Sequence, residues 1–117
     1  MHDFRKLDVH KRALLFTKRV RSVTAKFPRE ELFGLTSQFC RASDSIVLNL
    51  AEGAGCSSKK EFAKFVGYSN RSGYECGGCE DIAAALDYIS KEEYEQMLDE
   101  TNQIVAMLIG LQRSLQK

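Results

Sequence analysis

Two of the four cysteines lie close enough in sequence to act together. Cys76 and Cys79 form a C-x-x-C pair, a spacing found in zinc knuckles and in thiol–disulfide sites. Cys40 and Cys56 would have to complete a four-thiolate zinc site. Such a site usually has two C-x-x-C pairs, and a thioredoxin-type site follows a strand, whereas this stretch has a helical pattern. We therefore expect free thiols, with no bound metal and no cofactor.

Two carboxylates in largely apolar helical stretches, Glu52 and Glu75, are the next candidates for chemistry. One hypothesis makes them an acid–base pair or metal ligands. The alternative is structural, because a charge within an apolar surface is retained mainly when it is paired. In that case the two carboxylates cap helices or belong to a polar network that fixes register across the bundle or between subunits. The predicted network consists of Gln38, Arg41, Asn49, Glu52 and Glu75.

The remaining motifs give no sign of an enzyme. The sequence contains no G-x-S-x-G nucleophile motif and no phosphate loop of the form G-x-x-x-x-G-K-[ST]. His2 and His10 have no partner at ligand or triad spacing, so we expect both at the surface. No catalytic residue, metal ligand or cofactor-binding residue is predicted, and we expect a non-enzymatic protein.

Charge is distributed unevenly along a chain whose net charge is only +1. Residues 1–29 carry nine Lys or Arg against two Asp, a net charge of +7. Residues 75–100 carry nine acids against one Lys, a net charge of −8. Two explanations stay open: a basic binding face, or attraction between the two ends of the chain across a bundle or between subunits.

The basic face is the best candidate for a binding surface. It lies on the first predicted helix, opposite an apolar stripe, and few aromatic residues accompany it, so base stacking has no obvious platform. A phosphate backbone would bind such a face by counterion release, and repetition of the face in an oligomer would add to the affinity. The candidate nucleic-acid-binding residues are Lys11, Arg12, Lys18, Arg19, Arg21 and Lys26.

Apolar periodicity predicts four helices, over about residues 9–27, 34–53, 58–86 and 90–115. Asp8 stands where an N-cap is expected for the first helix, and Pro28 ends that helix. The central helix is apolar over so much of its surface that it must contact several neighbours. Four helices with short connections are typical of an all-α, up-down-up-down bundle, which would form one domain over residues 1–117.

The third and fourth helices begin at recognisable capping motifs. Ser58 and Ser90 each start an S-x-x-E capping box. The glycine-rich middle of the third helix, residues 67–79, is a poor helix former. We expect either a break in that stretch or the close approach of another backbone, which small residues permit.

Length and hydropathy indicate the cellular setting. The 117 residues, 44% of them hydrophobic, suffice for one proper core. The longest apolar runs are far shorter than the roughly 20 residues that span a bilayer. The N-terminus is charged and lacks the apolar region of a signal peptide. We therefore expect a cytoplasmic protein with no membrane partner.

Several motifs of the chain resemble one protein family. The most specific ones lie in the central helix, with others on either side, and the resemblance covers nearly the whole chain. They are Gly34-Leu-Thr-Ser-Gln38, Asn49-Leu-Ala-Glu52-Gly53, Ser58-Lys-Lys-Glu61-Phe62 and Tyr88-Ile-Ser90. These motifs resemble the S23 family of bacterial four-helix bundle proteins, first noticed as reading frames in intervening sequences of 23S ribosomal RNA genes.

The resemblance implies a left-handed up-down bundle that assembles as a ring-shaped homopentamer. It also implies a fold similar to that of the accessory protein of diversity-generating retroelements, which partners a reverse transcriptase and binds nucleic acid through a basic surface. We therefore predict a non-enzymatic, homo-oligomeric bundle that binds RNA or scaffolds a nucleoprotein. The alternative is a protein–protein assembly module without nucleic-acid binding.

Overall fold

The structure, a computed structural model, describes residues 3–117 and consists of four α-helices joined by short connections. Their bounds are Asp8–Thr24 (α1), Leu35–Ala54 (α2), Lys59–Ala85 (α3) and Lys91–Leu115 (α4). Short 3-10 turns cover Phe4–Lys6 and Arg29–Glu31. No strand occurs within residues 3–117, and the prediction of an all-α fold with four helices is confirmed.

The four helices pack in a closed order around one core. Helix α2 packs against α3 and α1, while α4 packs against α3 and α1. Each helix turns an apolar stripe inward, as its sequence spacing predicts. Within residues 3–117, no helix is both long enough and apolar enough to cross a membrane. The largest fully buried apolar side chains are Phe16, Phe39, Ile46, Leu50, Met97, Ile104 and Leu108.

Helix α1 differs from its predicted range at both ends. It begins with Asp8, and Leu7 is the N-cap residue, so the prediction of Asp8 as N-cap is wrong. It ends at Thr24 and not at residue 27, because Pro28 disfavours helical backbone in the residue before it. Phe27 is still buried, with its ring centroid 5.3 Å from that of Tyr88. The core stripe of α1 therefore continues beyond the helix itself.

The two serine caps form at the predicted positions. The Ser58 hydroxyl accepts a hydrogen bond from the backbone N–H of Glu61. Ser90 and Glu93 make the full reciprocal box, in which each side chain accepts from the other residue's backbone N–H at 3.0 Å. These bonds satisfy N–H groups that have no partner within their own helix.

His10 is buried, so the prediction that it lies at the surface is wrong. Its ring packs edge-on against Phe4, with the two centroids 4.9 Å apart. Burial, and to a lesser extent the nearby Arg5, lower the pKa of His10 below its usual value. His2, for which the same surface position is predicted, lies outside the described residues.

Helix α3 runs without a break through its glycine-rich middle. At Gly73 the close approach of another helix explains the glycine, because an added Cβ would lie 2.9 Å from Cγ2 of Val105 on α4. At Gly77 and Gly78 an added Cβ would meet nothing within 4 Å. The tightest approach is on α2, where a Cβ at Gly53 would lie 2.7 Å from Cβ of Phe65.

We predict opposite effects for two glycine-to-alanine substitutions. Gly53→Ala should lower the free energy of unfolding by about 1–3 kcal/mol, because the new methyl group overpacks the α2–α3 contact. Gly78→Ala should raise it by up to about 1 kcal/mol, because alanine favours helix and the site is open. Urea unfolding followed by circular dichroism measures both. Equal stability of the two variants would contradict the close approach at Gly53.

Candidate functional site

Arg21 on α1 and Lys26, just beyond the end of α1 at Thr24, are neutralised within the chain. Arg21 makes a bidentate pair with Asp44 of α2, with both N–O distances 2.8 Å. Lys26 Nζ lies 2.9 Å from a carboxylate oxygen of Glu93, at the start of α4. The backbone N–H of Ser90 and this ammonium lower the pKa of Glu93. These two cations therefore hold α1 and the turn that follows it against α2 and α4.

Arg19 is also paired, at the middle of α1. Its guanidinium lies 3.3 Å from Glu100 and donates a 2.9 Å hydrogen bond to Gln96, both on α4. Two of the predicted cations, Arg19 and Lys26, thus engage the acidic α4. Of the two explanations left open by the sequence, attraction between the ends of the chain accounts for these two residues.

The other three predicted cations, all on α1, are not neutralised by a carboxylate within residues 3–117. Lys11 and Lys18 are exposed and form no ion pair within residues 3–117. Arg12 donates a 2.6 Å hydrogen bond to Gln103, a neutral partner that leaves the guanidinium charge unbalanced. We call Lys11, Arg12 and Lys18 the free cationic patch. It is the part of the predicted basic face that stays available to an anionic ligand.

A groove between α1 and α4 adjoins the free cationic patch. Its volume is about 510 Å³. Its apolar lining residues are Leu15, which is 63% exposed, and the buried Phe16 and Ile104 beneath it. The other lining residues are polar or charged: Arg12, Lys18, Arg19, Ser22 and Glu100. The surface of α1 therefore offers a recess as well as a row of charges.

The structure brings together part of the predicted polar network. Gln38 donates a 2.5 Å hydrogen bond to Glu75 from α2 to α3, and both side chains are exposed. Arg41 lines a polar groove of about 230 Å³ with this pair, but forms no hydrogen bond or ion pair with a described residue. Asn49 instead donates to the carbonyl of Ser45 in its own helix.

Glu52 stands apart from the other members of the predicted network. Its side chain is exposed, and its carboxylate makes no hydrogen bond or ion pair within residues 3–117. The five residues therefore do not form one buried network inside a single chain. Arg41 and Glu52 therefore place two unpaired charges of opposite sign on the outer surface of α2.

Glu80 is a buried carboxylate that the sequence reasoning missed. Its exposed fraction is 0%, and it accepts a 2.6 Å hydrogen bond from the hydroxyl of Thr101 through one oxygen. The other oxygen, Oε1, has no partner among the described residues. Burial raises the pKa of Glu80 to about 7, against the smaller lowering effect of Thr101. The helical spacing could have predicted the burial of Glu80, because Glu80 lies one helical turn after Cys76, which is also buried.

The two cysteines of the C-x-x-C pair lie in the core. Burial raises the pKa of the Cys79 thiol to about 11 and that of Cys76 even further. Both are free thiols, and a protonated, buried thiol is a poor nucleophile and a poor metal ligand. Among residues 3–117 no group of three or more His, Cys, Asp or Glu side chains is arranged to hold a metal ion.

We predict that Glu80 makes folding stability depend on pH. The folded-state pKa is about 7 and the unfolded value near 4.5, so the folded protein binds more protons between these values. Its free energy of unfolding should fall by about 3 kcal/mol as pH rises from 4.5 to 7. Glu80→Gln should lose this slope, whereas the exposed Glu75→Gln should keep it. Urea titrations at several pH values measure it, and equal slopes in both variants would contradict the prediction.

Comparison with known proteins places the chain in a family. One solved structure that shares the fold is a protein of unknown function from the S23 ribosomal protein family of Bacteroides thetaiotaomicron. Its TM-score is 0.80 at 22% sequence identity, and the match covers 87% of this chain and 95% of that chain. No curated protein matches. The model of the 23S rRNA-intervening sequence protein family matches residues 5–110. The resemblance found in the motifs is confirmed, and the chain belongs to this family.

Proposed function

We propose that this protein is a non-enzymatic, homo-oligomeric bundle that binds RNA, alone or within a nucleoprotein, through the free cationic patch of α1. The observation that carries the proposal is the division of the basic face. Lys18 and Lys11 have no carboxylate partner within residues 3–117, and Arg12 has only a neutral one. A protein that needed these charges only to hold its helices together would pair them, as it pairs Arg19, Arg21 and Lys26.

The size of the patch suits a repeated, weak contact. Three cations neutralise few phosphates, so one copy would bind RNA weakly, and several copies in one assembly would bind with summed affinity. The family name, which refers to an intervening sequence of 23S rRNA, agrees with an RNA partner. The cytoplasmic location indicated by the sequence is part of this proposal.

Exposed apolar side chains support the oligomeric part of the proposal. Leu48 on α2 is 63% exposed, and Tyr74 and Ile82 on α3 and Leu86 at its C-terminal cap are exposed as well. Leu48 lies on the same outer surface as the unpaired charges of Arg41 and Glu52. A second chain would cover such a mixed surface favourably. The proposal also includes the homopentamer and the left-handed bundle that the family resemblance implies.

A protein–protein assembly module is the second candidate function. The observation that favours it is Phe33, which is 93% exposed in the connection between α1 and α2, next to the exposed Leu32. Large exposed aromatic side chains are frequent anchors of protein interfaces. This candidate predicts a partner that binds without any nucleic acid.

We predict that charge reversal of the free cationic patch abolishes RNA binding. The triple variant Lys11→Glu, Arg12→Glu, Lys18→Glu should lose binding to an RNA oligonucleotide in fluorescence anisotropy. The wild-type protein should show a steep salt dependence. A variant that replaces the same three residues by alanine should have a slope of log K against log salt that is shallower by about 2–3, since each phosphate contact contributes about 0.7–0.9.

A matched control variant distinguishes the effect of losing the free cationic patch from the effect of a changed net charge. Lys59, Lys60 and Lys91 are exposed cations at the starts of α3 and α4, and none forms an ion pair within the described residues. Their reversal to Glu changes the net charge by the same amount and suits the helix dipoles. This control should keep RNA binding. Loss of binding in both triple variants, or in neither, would contradict the proposed site.

We predict that the oligomer depends on the outer surface of α2. Light scattering of the wild-type protein should give a mass that is a multiple of 13.2 kDa, five times that value for a pentamer. Leu48→Glu should shift the mass to that of one chain, because it places a charge in an apolar contact. Circular dichroism should stay unchanged, since Leu48 contributes little to the core. A wild-type mass of 13.2 kDa would contradict the proposal.

A further inference from the structure

Polar bridges, and not interlocking apolar side chains, join the outer edges of α1 and α4. Arg12 reaches Gln103, and Arg19 reaches Gln96 and Glu100. Arg12 and Arg19 are seven residues apart, which is about 10 Å along a helix axis. The two bridges cross the seam along which a slot opens between the helices, lined on the α1 side from Arg12 to Ser22.

The floor of this slot is apolar. Phe16 and Ile104 underlie the groove but are only 1% and 2% exposed, so Leu15, which is 63% exposed, supplies the accessible apolar surface. The groove volume of about 510 Å³ leaves ample room for a flat ring system of the size of a nucleobase. No side chain of the described residues fills it.

The polar groups around the slot identify the chemistry of an occupant. The guanidinium groups of Arg12 and Arg19 line the groove, each already bonded to α4, and Glu100 provides a carboxylate acceptor beside Arg19. Lys18 stands at the rim with an unpaired charge. The complementary ligand has an apolar face, an edge with both donors and acceptors, and an attached anion. An unpaired base with its own phosphate meets all of these requirements, because bases stack on guanidinium planes as well as on aromatic rings.

We infer that the groove between α1 and α4 is a subsite for an unpaired base, so that the RNA bound by this protein is single-stranded. The inference rests on the proposed RNA binding and adds the strand class that the site selects. A base within a duplex cannot enter, because its two faces are stacked and its edge is paired. Lys11 and Lys18 would contact phosphates outside the groove while the base occupies it.

Two adjacent leucines provide the test. Leu15 lines the groove, whereas Leu14 is exposed at 45% but does not line it. Leu15→Ala should weaken binding of a single-stranded RNA about fivefold, because it removes the accessible apolar contact of the groove. Leu14→Ala should bind like the wild-type protein. The salt slope should stay the same in both variants, because neither changes a phosphate contact.

The probes are a single-stranded RNA and a duplex RNA with equal numbers of phosphates. The wild-type protein should prefer the single strand, and Leu15→Ala should reduce that preference. A 2-aminopurine base in the single strand should become more fluorescent when bound, because it leaves the stack with its neighbours. Leu15→Ala should diminish this rise and Leu14→Ala should not.

The outcomes separate the inference from the proposed function. If neither RNA binds, the proposed RNA binding fails as a whole. If both RNAs bind equally and the two leucine variants behave alike, the RNA-binding patch stands and the base subsite is overturned. If Leu15→Ala weakens binding of an acidic amphipathic peptide but leaves RNA binding unchanged, the groove is a peptide site and the inference is again overturned.

Discussion

The close packing of α2 against α3 is the constraint on which the rest of the structure depends. Three contacts set the register of this antiparallel pair: Gly53 against Phe65, Ser69 donating to the carbonyl of Ile46 at 2.7 Å, and Gln38 donating to Glu75. The hydrogen bond of Ser69 is buried, so a shift of one helix along the other would leave the Ser69 hydroxyl without a partner. The motif residues Gln38 and Gly53 of α2 therefore contribute to the packing of α2 against α3.

The opposite seam, between α1 and α4, is held by long polar side chains. Because charged and amide groups bridge the helices above the core, a recess remains between one bridge and the next. The cations of α1 and of the turn after it therefore fall into two groups. Arg19, Arg21 and Lys26 pair with carboxylates of other helices, although exposed pairs contribute only about 1 kcal/mol or less each. Lys11, Arg12 and Lys18 form no ion pair within residues 3–117.

Helix α3 carries polar side chains that are buried in the core, where an unsatisfied polar atom lowers stability. Glu80 is fully buried with one oxygen unsatisfied, which favours its protonated form and ties stability to pH. Its neighbours Cys76 and Cys79 are held as thiols by the same burial. Both cysteines of the C-x-x-C pair therefore belong to the hydrophobic core.

Apolar spacing in the sequence determined the four helices, and local motifs determined their starts at Ser58 and Ser90, because these signals act over a few neighbouring residues. Only the tertiary structure decided which cations stay free, since a pairing such as Arg19 with Glu100 depends on which helix faces α1 and in what register. The burial of His10 and Glu80 was decided in the same way. A polar residue reveals its environment only when distant segments close around it.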